Sequence, residues 1–227
     1  MATAMPPSPH DDRPDAGVPA APHRLATDTE QGLLLVISGP SGVGKTTITR
    51  AVERAIPGAV FSVSATTRAK TEADVEGVDY HFVGEAEFQR MVDAGEFLEH
   101  AGIYGKRYGT PRRWVAEQLR RGRLVILEID VQGAVLVKAA IPELYAVFIL
   151  PPSEEELLRR LRERKREDEE KIQRRFAAAK QEIALARVCG VYDRFITNAQ
   201  LPETFEEAIG TVRNEMALRG VRVSSEE

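Results

Sequence analysis

LLLVISGPSGVGKTTITRAVERAI, residues 33–56, is the stretch that decides the fold. Its opening run, LLLVIS, is continuously apolar up to the serine, which suits a strand covered on both faces in a parallel sheet. Its closing part places Ile48, Ala51, Val52, Ala55 and Ile56 at helical spacing, and the Pro57-Gly58 pair predicts a stop just beyond. Between strand and helix lies Gly39-Pro40-Ser41-Gly42-Val43-Gly44-Lys45-Thr46, a match to G-x-x-x-x-G-K-[ST] in the context that pattern requires.

The chemistry follows from the residue types. Glycines let backbone N–H groups converge on phosphate oxygens, the helix N-terminus adds a positive dipole, and Lys45 reaches the β- and γ-phosphates of a nucleotide. Thr46 is then the expected Mg²⁺ ligand. Such a loop points to nucleotide phosphates without saying which reaction follows.

Further apolar runs, LVILEI at 124–129 and AVFIL at 146–150, alternate with helical segments, so the core reads as α/β around a parallel sheet. Thr110-Pro111 predicts an N-cap and first-turn proline for a helix closed by Gly122, and Ser153 with Glu156 predicts a capping box. Residues 61–110 have a different pattern, in which short alternating pieces, polar turns and one helical segment around residues 85–94 predict a small α+β insert. Core pieces at 32–60, 111–152 and 190–220 and a helical segment at 153–189 complete a domain over 32–220. Residues 1–31, rich in Pro, Ala and Asp, are expected to be a disordered tail, and 221–227 a C-terminal tail.

With 43% hydrophobic and 29% charged residues in 227, the composition is that of an ordinary globular protein. A net charge of -4 gives no overall basic footprint for nucleic acid, so any anion site is local. No apolar run approaches the roughly 20 residues that span a bilayer. The one cysteine, Cys189, has no internal partner, and the histidines are isolated from one another in sequence, which favours a reducing cytoplasm and excludes a Cys/His metal cluster. Cys189 follows ALARV and is expected to be a packed small hydrophobe.

In FSVSATTRAKTEADVEGVDYHFV, residues 61–83, Ser64, Thr66, Thr67 and Arg68 follow an apolar strand, and Tyr80 returns from the next one. By residue type this is either a phosphate-binding cluster or a surface loop. The order of motifs resolves it: GPSGVGKTT, SVSATTR, EGVDYHFV, GEFLEHA, YGTPRRWV, LEIDVQGA, FILPPS, an arginine-rich helix pair and ITNAQ. Over residues 32–219 this resembles guanylate kinase, a P-loop kinase with a GMP-binding insert and a helical lid.

The resemblance implies ATP as phosphoryl donor, Mg²⁺, and GMP as acceptor, in purine nucleotide metabolism and GMP recycling. Gly39, Pro40, Ser41, Gly42, Val43, Gly44, Lys45, Thr46 and Thr47 would form the ATP loop, with Asn198 near the adenine. Ser64, Arg68, Tyr80 and Tyr108 would hold the GMP phosphate. Glu99 would read guanine, accepting from its N1–H and exocyclic amine, with Thr110 facing the O6 edge and Asp130 a second acidic contact. Arg160, Arg164 and Arg175 would be lid arginines acting with Lys45 and Arg68 on the transferring group. The implied partners are these small molecules, with no nucleic acid and no membrane; the oligomeric state is left open.

The chain departs from the family pattern in three places. Glu128 stands where the family has Asp, Arg164-Lys165 replaces an Arg-Gly hinge, and Thr71 holds the position of a second phosphate-binding arginine. Lys70 supplies charge nearby but no bidentate geometry, so weaker GMP phosphate binding is expected than in members with both arginines. Two other readings compete: a kinase for another small acceptor such as a sugar phosphate, which has no need of Glu99, Thr110 and Asp130, and a non-catalytic binding module, which has no need of Lys45.

Overall fold

The computed structural model describes residues 32–103, 105–163 and 168–221. Arg164, Lys165 and residues 1–31 and 222–227 lie outside the described residues, while Val221, expected in the C-terminal tail, is buried in the core cluster with Met216. The core begins with β1 (Leu33–Ser38), whose side chains alternate between two apolar layers. Leu33, Leu35 and Ile37 enter one cluster, and Leu34 and Val36 the other. All are buried, which is why the run shows no polar alternation.

Helix α1 (Lys45–Ala55) follows the glycine-rich turn and ends before Gly58, which adopts a φ of 71°. The short β2 (Val60–Phe61) adds to the edge of the same sheet. The insert then forms from β3 (Ala65–Thr66), β4 (His81–Phe82), α2 (Glu85–Asp93), β5 (Phe97–Ile103) and β6 (Lys106–Pro111). The chain re-enters the core with α3 (Arg112–Arg120), β7 (Leu124–Glu128), α4 (Val131–Ala140) and β8 (Tyr145–Leu150). Helices α5 (Glu154–Glu163) and α6 (Glu169–Val188), strand β9 (Arg194–Thr197) and helix α7 (Leu201–Leu218) complete it.

The core sheet has the order β2-β7-β1-β8-β9, and every pairing in it is parallel. Strand β1 is flanked by β7 on one side and β8 on the other, so the order reverses there and a crevice opens at the carboxyl ends. The glycine-rich turn leaves β1 at that point. Helices α1 and α7 cover one face through Ile48, Val52, Ala208 and Val212, and α3 and α4 cover the other through Val115, Leu119, Ala134 and Val137. Cys189 packs against this second layer as a small apolar group.

The insert carries its own sheet, β4-β3-β6-β5, on a small core of Ala65, Phe88 and Phe97. Its β5–β6 ladder shifts register between Phe97 and His100. Strict alternation breaks there: Phe97 packs into the insert, Leu98 into the main core, and Glu99 faces Thr110.

The expected Thr110 N-cap is not what forms. Phe97 pairs with Pro111, and the Arg112 amide donates to the Glu96 carbonyl at 2.9 Å, so the strand persists through Pro111 and α3 starts one residue later. Thr110 is thereby a strand residue whose hydroxyl is free for the site. Gly122, at φ 74°, closes α3 as expected. Ser153 accepts from the Glu156 amide at 3.2 Å, the N-terminal half of the expected capping box. No helix among the described residues is long and apolar enough to cross a membrane.

Candidate active site

The turn after β1 owes its path to glycine at two positions. A Cβ on Gly39 would lie 2.5 Å from the Ile149 carbonyl oxygen, and one on Gly44, at φ 94°, would lie 2.9 Å from the Asn198 amide nitrogen. The Lys45 ammonium donates to the carbonyls of Gly39 and Pro40. Thr46 Oγ1 donates to Glu128 Oε1 at 2.8 Å, joining the start of α1 to the carboxyl end of β7. These are hard oxygen donors at the mouth of an anion-binding loop, a set that suits Mg²⁺ with water and phosphate completing its shell.

A cleft of about 820 Å³ runs from this loop to the insert, lined by Ser41 and Lys45 at one end and by Glu99, Tyr108 and Asp130 further along. Glu99 is 7% exposed, and its Oε1 accepts from Thr110 Oγ1 at 2.6 Å. Burial pushes its carboxyl up to about 7, with Asp130 adding to the rise and Thr110 opposing it. Asp130 N-caps α4 by accepting from the Gly133 amide at 2.7 Å.

Gly133 lies within LEIDVQGA, but the sequence assigns it no role. A Cβ there would sit 3.0 Å from Glu99 Oε2 and 3.4 Å from Asp130 Oδ1. The missing side chain lets a buried carboxylate lie against the first turn of a helix, where the dipole favours it. Gly133→Ala is expected to raise the acceptor KM about tenfold, roughly 1.4 kcal/mol, because the carboxylate must give way. Its Tm should change by only a few degrees, since alanine gains helix propensity over glycine. Steady-state kinetics beside a thermal melt checks this, and an unchanged acceptor KM would remove the role of that approach.

Around the loop that follows β3, Ser64, Tyr80 and Tyr108 line the same cleft, and the two phenol rings meet edge-on with centroids 5.7 Å apart. Arg68 lies over Tyr80 and forms a two-pronged pair with Asp74. Thr71 does not stand idle in place of an arginine: its amide and hydroxyl both donate to Asp74 Oδ2, at 2.7 and 2.6 Å.

Of the arginines expected on a lid, the two that can be described, Arg160 and Arg175, approach the P-loop from α5 and α6. Arg175 donates to the Ser41 hydroxyl, and Arg160 donates to the Asn198 carbonyl at 3.1 Å and to Glu156 at 2.7 Å. Leu161 of α5 lies close over Gly42, within 3.0 Å of where a Cβ would be. Asn198 is 3% exposed, with its amide nitrogen on the Val43 carbonyl at 2.8 Å and its amide oxygen accepting from Thr204 at 3.1 Å. The structure therefore puts the Asn198 side chain beneath the P-loop, bracing it, with Thr204 fixing its orientation. Glu182 of α6, hidden in sequence within a charged helix, lines the cleft; burial pushes its carboxyl up to about 7, partly offset by Lys45.

An acidic subsite at Glu99 and Asp130 and the glycine-rich loop with Lys45 share one continuous cleft, and comparison with known proteins accounts for that combination. The family model described as guanylate kinase matches residues 31–215. The chain belongs to the guanylate kinase family. It is 49% identical over 185 residues to a guanylate kinase of Anaeromyxobacter dehalogenans, covering 81% of each chain. A guanylate kinase of Coxiella burnetii is 42% identical over 189 residues, covering 83% of this chain and 90% of its own. The crystal structure of guanylate kinase from Anaplasma phagocytophilum superposes with a TM-score of 0.65 at 34% identity, over 81% of this chain and 86% of that one. The P-loop kinase fold that the resemblance over residues 32–219 implied is thus the fold of the guanylate kinase family, whose members are nucleoside monophosphate kinases that take ATP as phosphoryl donor.

Proposed function

We propose that this chain transfers the γ-phosphoryl group of ATP to the phosphate of GMP, giving ADP and GDP, and that the cleft residues divide the work as follows. The observation that carries the reading is the Glu99–Thr110 pair, buried in the cleft that ends at Lys45. An ionised carboxylate accepts from two neighbouring donors, which guanine offers at N1 and its exocyclic amine. Adenine presents an acceptor at N1, so the same carboxylate repels it. Thr110, its one hydroxyl proton committed to Glu99, holds the carboxylate for the guanine N1–H and amine.

The acceptor's phosphate oxygens are ionised near neutral pH, so transfer needs alignment and charge neutralisation more than proton removal. Lys45 and the loop amides take the donor phosphates, while Arg68, Ser64, Tyr80 and Tyr108 take the acceptor phosphate. Arg160 and Arg175, arriving with α5 and α6, neutralise the group in flight and exclude water. Arg164 is assigned the same duty on the resemblance alone. Mg²⁺, held by Thr46 with Glu128 beside it, would neutralise the β- and γ-oxygens when bound. Asn198 and Thr204 keep the P-loop carbonyls turned away from the donor. A cytoplasmic location belongs to the same proposal.

Coupled ADP release with Mg-ATP and each of GMP, AMP, CMP and UMP tests it. GMP alone should turn over efficiently; turnover with AMP but not GMP, or with none of the four, would sink the reading.

Acidity adds a second check. The raised Glu99 carboxyl is neutral below about pH 7 and must lose its proton to accept from guanine. GMP affinity is expected to be flat above that pH and to weaken by about tenfold per unit below it. Glu99→Gln removes this dependence, leaving only the titration of the nucleotide's own phosphate near pH 6. Identical pH profiles for the two proteins would contradict the role of the ionised carboxylate.

A further inference from the structure

The acceptor-phosphate reading rests on Arg68, and the structure holds that guanidinium by one edge. Nη1 donates to Asp74 Oδ2 at 2.9 Å and to the Ala69 carbonyl at 3.1 Å, and Nη2 donates to Asp74 Oδ1 at 2.8 Å. The plane rests over Tyr80 and Phe82, with its central carbon 5.1 and 5.3 Å from their ring centres. Asp74 is fixed from behind by the Thr71 amide and hydroxyl, and its own amide returns a bond to the Thr71 carbonyl at 3.2 Å. Residues 71–74 thus close on themselves and present one carboxylate to one arginine.

A guanidinium carries five N–H groups in a plane. Both Nη1 protons and one Nη2 proton are engaged here. The Nε proton and the second Nη2 proton lie side by side, and among the described residues neither has an acceptor. Two parallel donors at that spacing match two oxygens of a phosphate.

We propose that Asp74 is a positioning residue for the acceptor's phosphate: it holds the Nη1/Nη2 edge of Arg68 so that the Nε/Nη2 edge is the fork that receives the phosphate. The proposal rests on Arg68 binding that phosphate, which is part of the proposed function. It also gives Thr71 a use. Where the family pattern has a second arginine, this chain has the hydroxyl that locks Asp74, so a single pre-set arginine stands in for a pair. Arg68 keeps Asp74 well below the ordinary carboxylate range, with Thr71 contributing, so the clamp stays ionised wherever GMP is bound.

The clamp acts on phosphate and not on guanine, and the test uses that difference. Calorimetric affinities for GMP and for guanosine are measured with the full chain and with Arg68→Ala, Asp74→Asn, Thr71→Val and the Arg68→Ala/Asp74→Asn double variant. The readout is the GMP-to-guanosine affinity ratio, and guanosine binding is the control for an intact fold. Arg68→Ala should lower the ratio by about a hundredfold, Asp74→Asn by about tenfold and Thr71→Val by about threefold, as expected for one charge-assisted pair and its supports. In the Arg68→Ala background, Asp74→Asn should have no further effect. Asp74→Glu, which retains the charge, should keep most of the ratio.

If Asp74→Asn leaves the ratio unchanged or raises it while Arg68→Ala lowers it, Asp74 is a bystander or a competitor for Arg68 and the proposal is overturned with the phosphate reading intact. If Arg68→Ala leaves the ratio unchanged, the phosphate reading itself fails.

Discussion

Lys45→Ala is expected to lower turnover at saturating ATP and GMP by about three orders of magnitude, the scale on which a charged stabiliser of transferring phosphate acts. Lys45 is the cation at the loop end of the cleft, folded over the carbonyls of Gly39 and Pro40. Its removal has a second consequence. Glu182 shares that end, and Lys45 is what draws its carboxyl down against the effect of burial. Without the ammonium, a carboxylate faces incoming phosphates with less compensation, so the loss should be smaller in a Glu182→Gln background. ADP release in both backgrounds measures this, with a thermal melt as control for folding. Residual turnover within tenfold of the parent would take Lys45 out of the phosphate site.

Much of this scaffold was legible because its signals are local. A run such as LLLVI admits few structures other than a strand buried on both sides, and glycines at 39, 42 and 44 before Lys45 belong to one kind of turn. The expected segments at 124–129 and 146–150 became β7 and β8, and the one around 85–94 became α2, within a residue or two at their ends. Where expectation and structure part, two local signals compete. Thr110-Pro111 is a good helix start by type, yet pairing of Phe97 with Pro111 carried the strand through it and released the Thr110 hydroxyl to Glu99.

The site was less legible because its chemistry depends on burial, and burial is a tertiary quantity. In sequence, GEFLEHA offers Glu96 and Glu99 as similar strand-end carboxylates. In the fold Glu96 pairs with Arg90 on the surface, while the register shift turns Glu99 inward. Only the family resemblance distinguishes the two by sequence. Glu182 sits in a run whose other charges are solvated ion pairs such as Arg162–Glu169, so nothing in its neighbours marks it as facing the cleft. Asp74 was given no role for another reason: the loop departs from the family pattern at Thr71, where the sequence shows only a missing charge. The structure shows that position fixing Asp74 through its amide and hydroxyl.

Glu99→Ala is expected to weaken GMP by about two to three orders of magnitude while leaving the ATP KM near its parent value. Two hydrogen bonds to a charged acceptor are lost, each worth roughly 1.5–3 kcal/mol. The upper end of that sum is not reached, because the parent must keep an ionised carboxylate in a buried place against a carboxyl pushed up to about 7. That cost is what would let the pair discriminate. A buried carboxylate with Thr110 on one oxygen and the first turn of α4 beside the other has unmet acceptor capacity that guanine would satisfy and adenine would not. Removing it frees Thr110 and takes away the repulsion of adenine N1, so AMP should become a better substrate in absolute terms as GMP becomes a worse one. The measurement is kcat/KM for GMP and AMP with parent and variant. Selectivity should collapse by at least roughly a thousandfold in the ratio, more than the GMP loss alone. A variant that binds GMP poorly yet still rejects AMP as strongly as the parent would mean that discrimination resides elsewhere in the cleft, with Asp130 the next residue to test.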